Sequence, residues 1–177
     1  MTTATLSLND RLLAVRARIA AAALAAGRTP ESVQLIAVSK TFGAEAVREA
    51  HAAGQTTFGE NYVQEALAKI QALRDLPLDW HFIGPLQSNK TADIAAHFSW
   101  VHGIEREKIA RRLSEQRPAE LPPLNVCVQV NISNETSKSG VNPEETLALC
   151  RSVAALPRLK LRGLMAIPEP GAAHPKE

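Results

Sequence analysis

Aromatic residues are scarce, at 4% of the 177 positions, with two tryptophans, one tyrosine and four phenylalanines. With alanine abundant, the sequence predicts a core built from Ala, Val, Leu and Ile. Cysteine is rarer still. Cys127 lies in an apolar strand-like run and Cys150 in a helical one. Neither has a CxxC neighbour or a histidine at ligand spacing, which argues against a zinc site and predicts buried free thiols in a reducing compartment. Charge of one sign is lacking too. A net charge of +2 argues against nucleic acid or an anionic membrane as partner. No apolar run reaches the ~20 residues of a membrane span. The turn after the first strand, Ser39-Lys40-Thr41-Phe42-Gly43, contains no GxGxxG, so a dinucleotide-binding fold loses its main signal.

What is present has the balance of a globular domain: 45% hydrophobic and 21% charged, in a length that buries roughly 70% of the unfolded surface. Arg11, Arg16 and Arg18 ahead of an alanine-rich run superficially resemble a targeting peptide. Leu8, Leu12, Val15, Ile19 and Ala23, however, share a helical face. Ser7 and Asp10 supply a start signal and Gly27 a stop. An amphipathic helix over about 7–27 and a cytoplasmic protein are expected. Arg106 to Arg117, with Glu105, Glu107 and Glu115 interleaved, reads as a solvated helix.

Short apolar runs then alternate with helical patterns. Strands are predicted at 34–39, 56–60, 80–84, 99–102, 125–132 and 159–167. Helices are predicted at 44–53, 62–73, 88–96, 106–117 and 143–155, with a tail over 168–177. The Gln34–Ser39 run reads as a strand buried on both faces. No composition break marks a second domain, so residues 1–177 are expected to form one domain. A regular βα succession implies a parallel sheet. Polar or glycine-containing segments at the carboxyl ends of several strands favour an α/β barrel of the TIM type over a doubly wound sheet.

Lys40 carries the most chemistry. Directly after a buried strand its stem is expected in low dielectric, which favours a neutral amine fit to attack a carbonyl. A lysine reaching out to solvent is the alternative. Asn61 ends the second strand. Polar groups follow the third in Gly84-Pro85-Leu86-Gln87-Ser88-Asn89-Lys90, and the fifth from Asn131 to Gly140. Ser137-Lys138-Ser139-Gly140 reads equally as an anion loop or a solvated one, since it lacks P-loop spacing. His81, inside an apolar strand, is expected to be a packed core histidine. Glu60 either orients a neighbour or faces the helices.

Val38-Ser39-Lys40-Thr41, Phe58-Gly59-Glu60-Asn61-Tyr62-Val63-Gln64-Glu65, the Trp80–Lys90 segment, Asn131-Ile132-Ser133 with Ser137–Gly140, and Gly163-Leu164-Met165-Ala166-Ile167-Pro168 together resemble the pyridoxal phosphate homeostasis protein family. That family is related to the N-terminal barrel of alanine racemase. The resemblance runs in order from about residue 6 to 170. It implies a (β/α) barrel of which about six of eight strands are present, with pyridoxal 5′-phosphate (PLP) held as a Schiff base on Lys40. It further implies Asn61 beside that lysine, Asn131 and Met165 as pocket wall, and a role in vitamin B6 and amino-acid balance without settled catalysis. Lys138 is a candidate acceptor for passing the cofactor on.

Family chains continue through two further βα units that hold the cofactor phosphate and face its pyridine nitrogen. A C-terminally incomplete barrel is therefore expected, with open edges that a completing chain or an oligomer would cover. PLP-dependent apoenzymes are the expected recipients. The rival readings are an alanine-racemase-like enzyme, a cofactor-free Schiff-base aldolase, or an inactive fragment or interaction module. The first would need a second acid–base residue, and the sole tyrosine, Tyr62, stands early in a helix. The second would place its lysine on a later strand.

Overall fold

The computed structural model describes residues 6–132 and 139–168. Its elements alternate as the periodicities predict. They are α1 (Leu8–Ala25), β1 (Ala37–Val38), α2 (Ala44–Ala52), β2 (Thr57–Glu60), α3 (Val63–Ala72), β3 (Asp79–Phe82), α4 (Thr91–His97), β4 (Trp100–Ile104), α5 (Glu107–Gln116), β5 (Leu124–Gln129), α6 (Pro143–Ala154) and β6 (Leu159–Met165), with a 3-10 turn at Pro30–Ser32. No described helix is long and apolar enough to cross a membrane. Contacts divide the chain into two compact units, residues 1–59 with 64–79, and residues 60–63 with 80–177.

In the first unit, α1 starts on a capping box. Ser7 Oγ accepts the Asp10 N–H, and the Asp10 carboxylate accepts the Ser7 N–H. The helix stops where Gly27, at φ 66°, gives its N–H to Leu24 while Arg28 gives its own to Ala23. Gly54 ends α2 in the same manner, with Gly54 and Gln55 donating to His51 and Ala50. Both glycines stand where the helix-stop pattern places them. β1 and β2 pair in parallel, Ala37 with Phe58 and Val38 with Gly59. Leu12, Ala23, Val47, Ala50, Phe58, Ala66 and Leu73 form the buried set.

The first strand departs from expectation. Only two residues of the Gln34–Ser39 run are paired, and Val38 is 48% exposed. In this unit's described residues β1 pairs with β2 alone, so one edge lacks the neighbour that burial on both faces requires.

In the second unit β3, β4, β5 and β6 pair in parallel in chain order, His81 opposite Trp100, Val101 opposite Val126, and Val126 opposite Leu161. Phe82, Phe98, Ile94, Val101, Ile109, Leu113, Val126 and Val128 are fully buried between strands and helices. Three of the four phenylalanines are thus not peripheral, Phe42 being the exposed one. Phe58, Phe82 and Phe98 are among the largest fully buried side chains of their units, because each aromatic removes more apolar surface from water than any aliphatic residue.

α5 is solvated on the predicted face, where Arg111 Nε donates to Glu107 at 2.7 Å. Arg117 is the exception in that segment. It is buried, and its guanidinium donates to the carbonyls of Ala95, Phe98 and Pro122, closing the end of α4. Element ends differ from prediction by a few residues: α4 begins only at Thr91, β4 runs on to Ile104, and β5 stops at Gln129.

Candidate functional site

In the first unit Lys40 occupies a four-residue turn. The Phe42 N–H closes it onto the Ser39 carbonyl at 3.1 Å, and Thr41, third in the turn, has φ 67°. Glycine is the usual residue there, because a β-branched side chain crowds the backbone at positive φ. α3 ties the turn from below. Glu65 Oε1 accepts the Thr41 N–H at 2.7 Å, and the buried Lys69 Nζ donates to the Ser39 carbonyl and to Glu65 Oε1, each at 2.6 Å. Lys69 and the Thr41 amide hold the Glu65 carboxyl below the usual carboxylate range. Lys40 itself is exposed, which corrects the expected placement of its stem in low dielectric. The half-exposed edge strand β1 offers no apolar sleeve for it.

In the second unit a cavity of about 300 Å³ opens at the carboxyl ends of its strands. It is lined by Asn61, by Ile83, Gly84 and Pro85 after β3, by Gln129, Val130 and Asn131 at the end of β5, and by Ser139 and Ile167. Asn61 and Asn131 are thereby brought to one cavity. Its walls meet at glycines. A Cβ on Gly84 would lie 2.5 Å from the Asn61 carbonyl oxygen and 2.7 Å from its Cα. Next to it, a Cβ on Gly103 would meet the Gly84 carbonyl and the Gln129 side chain. Gly140, at φ 124°, lies so close that a Cβ would sit 2.7 Å from the Asn131 nitrogen.

Beyond β5 the chain folds back and adds one more parallel bridge, Val130 with Val141. Asn131 N–H donates to Val141, Val141 N–H to Gln129, and Gln129 Nε2 to the Ser139 carbonyl. Met165 pairs with Gln129 from β6, and its carbonyl accepts the Val130 N–H at 2.8 Å. It braces the wall through its backbone and does not line the cavity.

The lining side chains with polar atoms are neutral amides and a hydroxyl, suited to binding and orienting rather than to proton transfer. Asn61 Oδ1 is buried with no hydrogen-bond donor among the described residues. A buried acceptor left so costs about 1–3 kcal/mol, which a donor on a ligand recovers. The Ser137–Gly140 loop, read equally as an anion loop or a solvated one, falls in part on residues 133–138. Those, including Lys138, lie outside the described residues. Its Gly140 N–H is already given to the Glu105 carboxylate at 3.0 Å, so that group is not open to a phosphate.

The packed core histidine predicted at position 81 is there. His81 is 2% exposed, and its Nδ1 stands 2.9 Å from Nε2 of His102, so one ring donates and the other accepts. Both rings stack with Trp100, over which the Arg162 guanidinium lies at 5.5 Å. Burial, and then the neighbouring His81, push the His102 pKa down to about 4.

In the unfolded chain an imidazole takes its proton near 6.5. Between that pH and about 4 the unfolded state binds more protons, so this contribution to stability is complete above pH 6.5 and falls away as pH drops through the window. After screening by solvent, about 1–2 kcal/mol is at stake. Urea unfolding at pH 7.5 and pH 5 should therefore show a smaller pH loss in His102→Asn than in the wild type. Equal losses would refute it.

Several of these residues carried no signal of their own in sequence. Gly103 and Gln129 stand at unremarkable positions near strand ends, and Gly84 was visible only as part of the segment after the third strand, not as a contact of Asn61. The Glu65–Lys69 pair was visible as i,i+4 spacing on α3, but its backbone partners were not.

Compared with known proteins, residues 11–175 match the alanine racemase N-terminal domain family. The chain is 66% identical over 163 residues to the pyridoxal phosphate homeostasis protein of Pseudomonas aeruginosa, covering 92% of this chain and 71% of that one. Its structure is similar to that of PipY from Synechococcus elongatus, solved with PLP bound: TM-score 0.79, 38% identity, covering 93% of this chain and 72% of that one. Alanine racemase from E. faecalis, at 21% identity and TM-score 0.62, shares the fold over 85% of this chain and 41% of its own.

Proposed function

The chain belongs to the pyridoxal phosphate homeostasis proteins of the alanine racemase N-terminal domain family, with their α/β-barrel fold, and from this premise we propose that it binds PLP covalently at Lys40 and serves vitamin B6 homeostasis. The observation that carries the reading is the exposed Lys40 amine, set on a turn whose flanking peptides are both tied to α3. Lys40 Nζ condenses with the cofactor aldehyde to a Schiff base, releasing one water. When bound, PLP supplies an aldehyde that can be passed from one amine to another and a ring that accepts electrons.

The residues present fit such a group. Within the second unit, Asn61 keeps a buried acceptor without a donor among the described residues, and Gly84 lets its backbone close in where any side chain would intrude. Asn61 and Asn131 are the proposed polar contacts, and Met165 the proposed support of their wall. The proposal includes PLP-dependent apoenzymes as recipients and the cytoplasm as location, in keeping with the two free thiols Cys127 and Cys150. Among the described residues the cavity lining carries amides and a hydroxyl and no titratable side chain, which supports a carrier over a racemase.

The test is to add PLP to the purified chain, follow the visible absorbance of the linkage, reduce with borohydride and map the labelled peptide. One equivalent on Lys40, lost in Lys40→Ala, is expected. Random labelling of lysines, or no adduct, would overturn the reading.

A further inference from the structure

The Ser39–Phe42 turn contains a conformational cost that its own residues do not offset. Thr41 at φ 67° is a β-branched residue in the left-handed region, a placement worth about 1–3 kcal/mol that persists only where surroundings enforce it. A free strand end would relax and let Lys40 swing. Two side chains one turn apart on α3 prevent this. Glu65 takes the N–H of the peptide after Lys40, and Lys69 gives a proton to the carbonyl of the residue before it. The two also bond to each other.

Lys69 is the more committed of the pair. Its side chain is 6% exposed, against 33% for Glu65, and a lysine is buried to that extent only when its charge is matched and its protons are placed. Its Nζ is spent on the turn and on Glu65 rather than on solvent. The carboxylate is in turn specified. It must accept from an amide and an ammonium at once, which a carboxylate oxygen does and a methyl or a second ammonium does not.

We propose that Glu65 and Lys69 are positioning residues for Lys40, a clasp on both flanking peptides that fixes where the Lys40 amine stands when it meets an aldehyde. The inference rests on the reading that Lys40 is the cofactor lysine. It extends that reading by naming what holds the nucleophile in a single orientation. The clasp acts through the backbone, so neither residue touches the cofactor. It lies within one unit of the chain and requires no other part of the molecule.

The experiment uses the full chain and PLP, and reads two quantities that overall destabilisation does not move together. One is the rate of borohydride-trappable labelling at Lys40. The other is the circular dichroism of the bound chromophore, which reports a fixed orientation. Glu65→Ala is expected to slow Lys40 labelling about tenfold and to shrink the visible dichroism per bound chromophore, with far-ultraviolet dichroism unchanged. Glu65→Gln, which keeps an oxygen for the Thr41 N–H, should restore most of both. Lys69→Met tests the other arm. Should that variant not fold, the two Glu65 variants decide alone.

Wild-type labelling rate and dichroism in Glu65→Ala would overturn the clasp while leaving Lys40 as the cofactor lysine. Failure of the wild-type chain to label at Lys40 would overturn both. Equal impairment in Glu65→Ala and Glu65→Gln would also count against the clasp, since the loss would then follow charge rather than the hold on Thr41.

Discussion

Replacing Gly140 by alanine is expected to destabilise the chain by about 4 kcal/mol, from two costs that act on the same atom. At φ 124° the backbone is in a region that L side chains rarely adopt, a strain of about 1–3 kcal/mol. The new Cβ would also stand 2.7 Å from the Asn131 nitrogen and 2.8 Å from the Val130 carbonyl carbon. Those atoms are fixed by the parallel bridge between Val130 and Val141 and by the Asn131-to-Val141 hydrogen bond, so they cannot give as a flexible side chain does. Overpacking of this kind adds about 1–3 kcal/mol. For a chain of this length the melting temperature should fall by on the order of 10 °C. Urea or thermal unfolding measures it, and a change under about 0.5 kcal/mol would mean the loop is not built as described.

Gly84→Ala isolates the steric half of that effect. Its backbone is not left-handed, yet a Cβ would lie within 2.5 Å of the Asn61 carbonyl oxygen and 3.0 Å of its carbonyl carbon. Something has to shift, and both candidates are main chain. The expected cost is about 3 kcal/mol. The group displaced carries Asn61 Oδ1, a lining amide oxygen that is buried and without a donor among the described residues, so its setting in the cavity should change as well. Gly43→Ala is the control. Its φ is −74° and nothing stands within 4 Å of a Cβ there, so it should stay within about 0.5 kcal/mol of the wild type. If Gly84→Ala matches Gly43→Ala in stability, the close approach of Asn61 to Gly84 is not a constraint on this protein.

Much of the fold was open to a reader of residues. The order of strands and helices follows from periodicity, and the stops at Gly27 and Gly54 from their place after helical runs. Ser7 and Asp10 announced α1 as a local exchange of hydrogen bonds three residues apart. Lys40 stood out as a lone charge after an apolar run. The errors share a cause. Burial of β1 on both faces, a dry stem for Lys40 and a solvated Arg117 were each inferred from neighbours in sequence. Each was decided by neighbours in space: an unmatched strand edge, an open turn, and two carbonyls at the end of α4 with that of Pro122.

The same division holds for the candidate site. By itself the sequence determined which elements form and in what order, where α1 and α2 stop, which lysine follows the first strand, and that asparagines stand at the ends of the second and fifth. Those properties depend on spacings of a few residues, where backbone periodicity and turn chemistry act directly. Only the tertiary structure decided that Asn61 rests on Gly84, that Gly140 presses on Asn131, that His81 meets His102, and that Glu65 and Lys69 grip the turn around Lys40. Each of these is a contact between residues nine or more apart along the chain. The register of parallel strands and the docking of helices set it to within tenths of an ångström, and no short-range pattern encodes a distance of that kind.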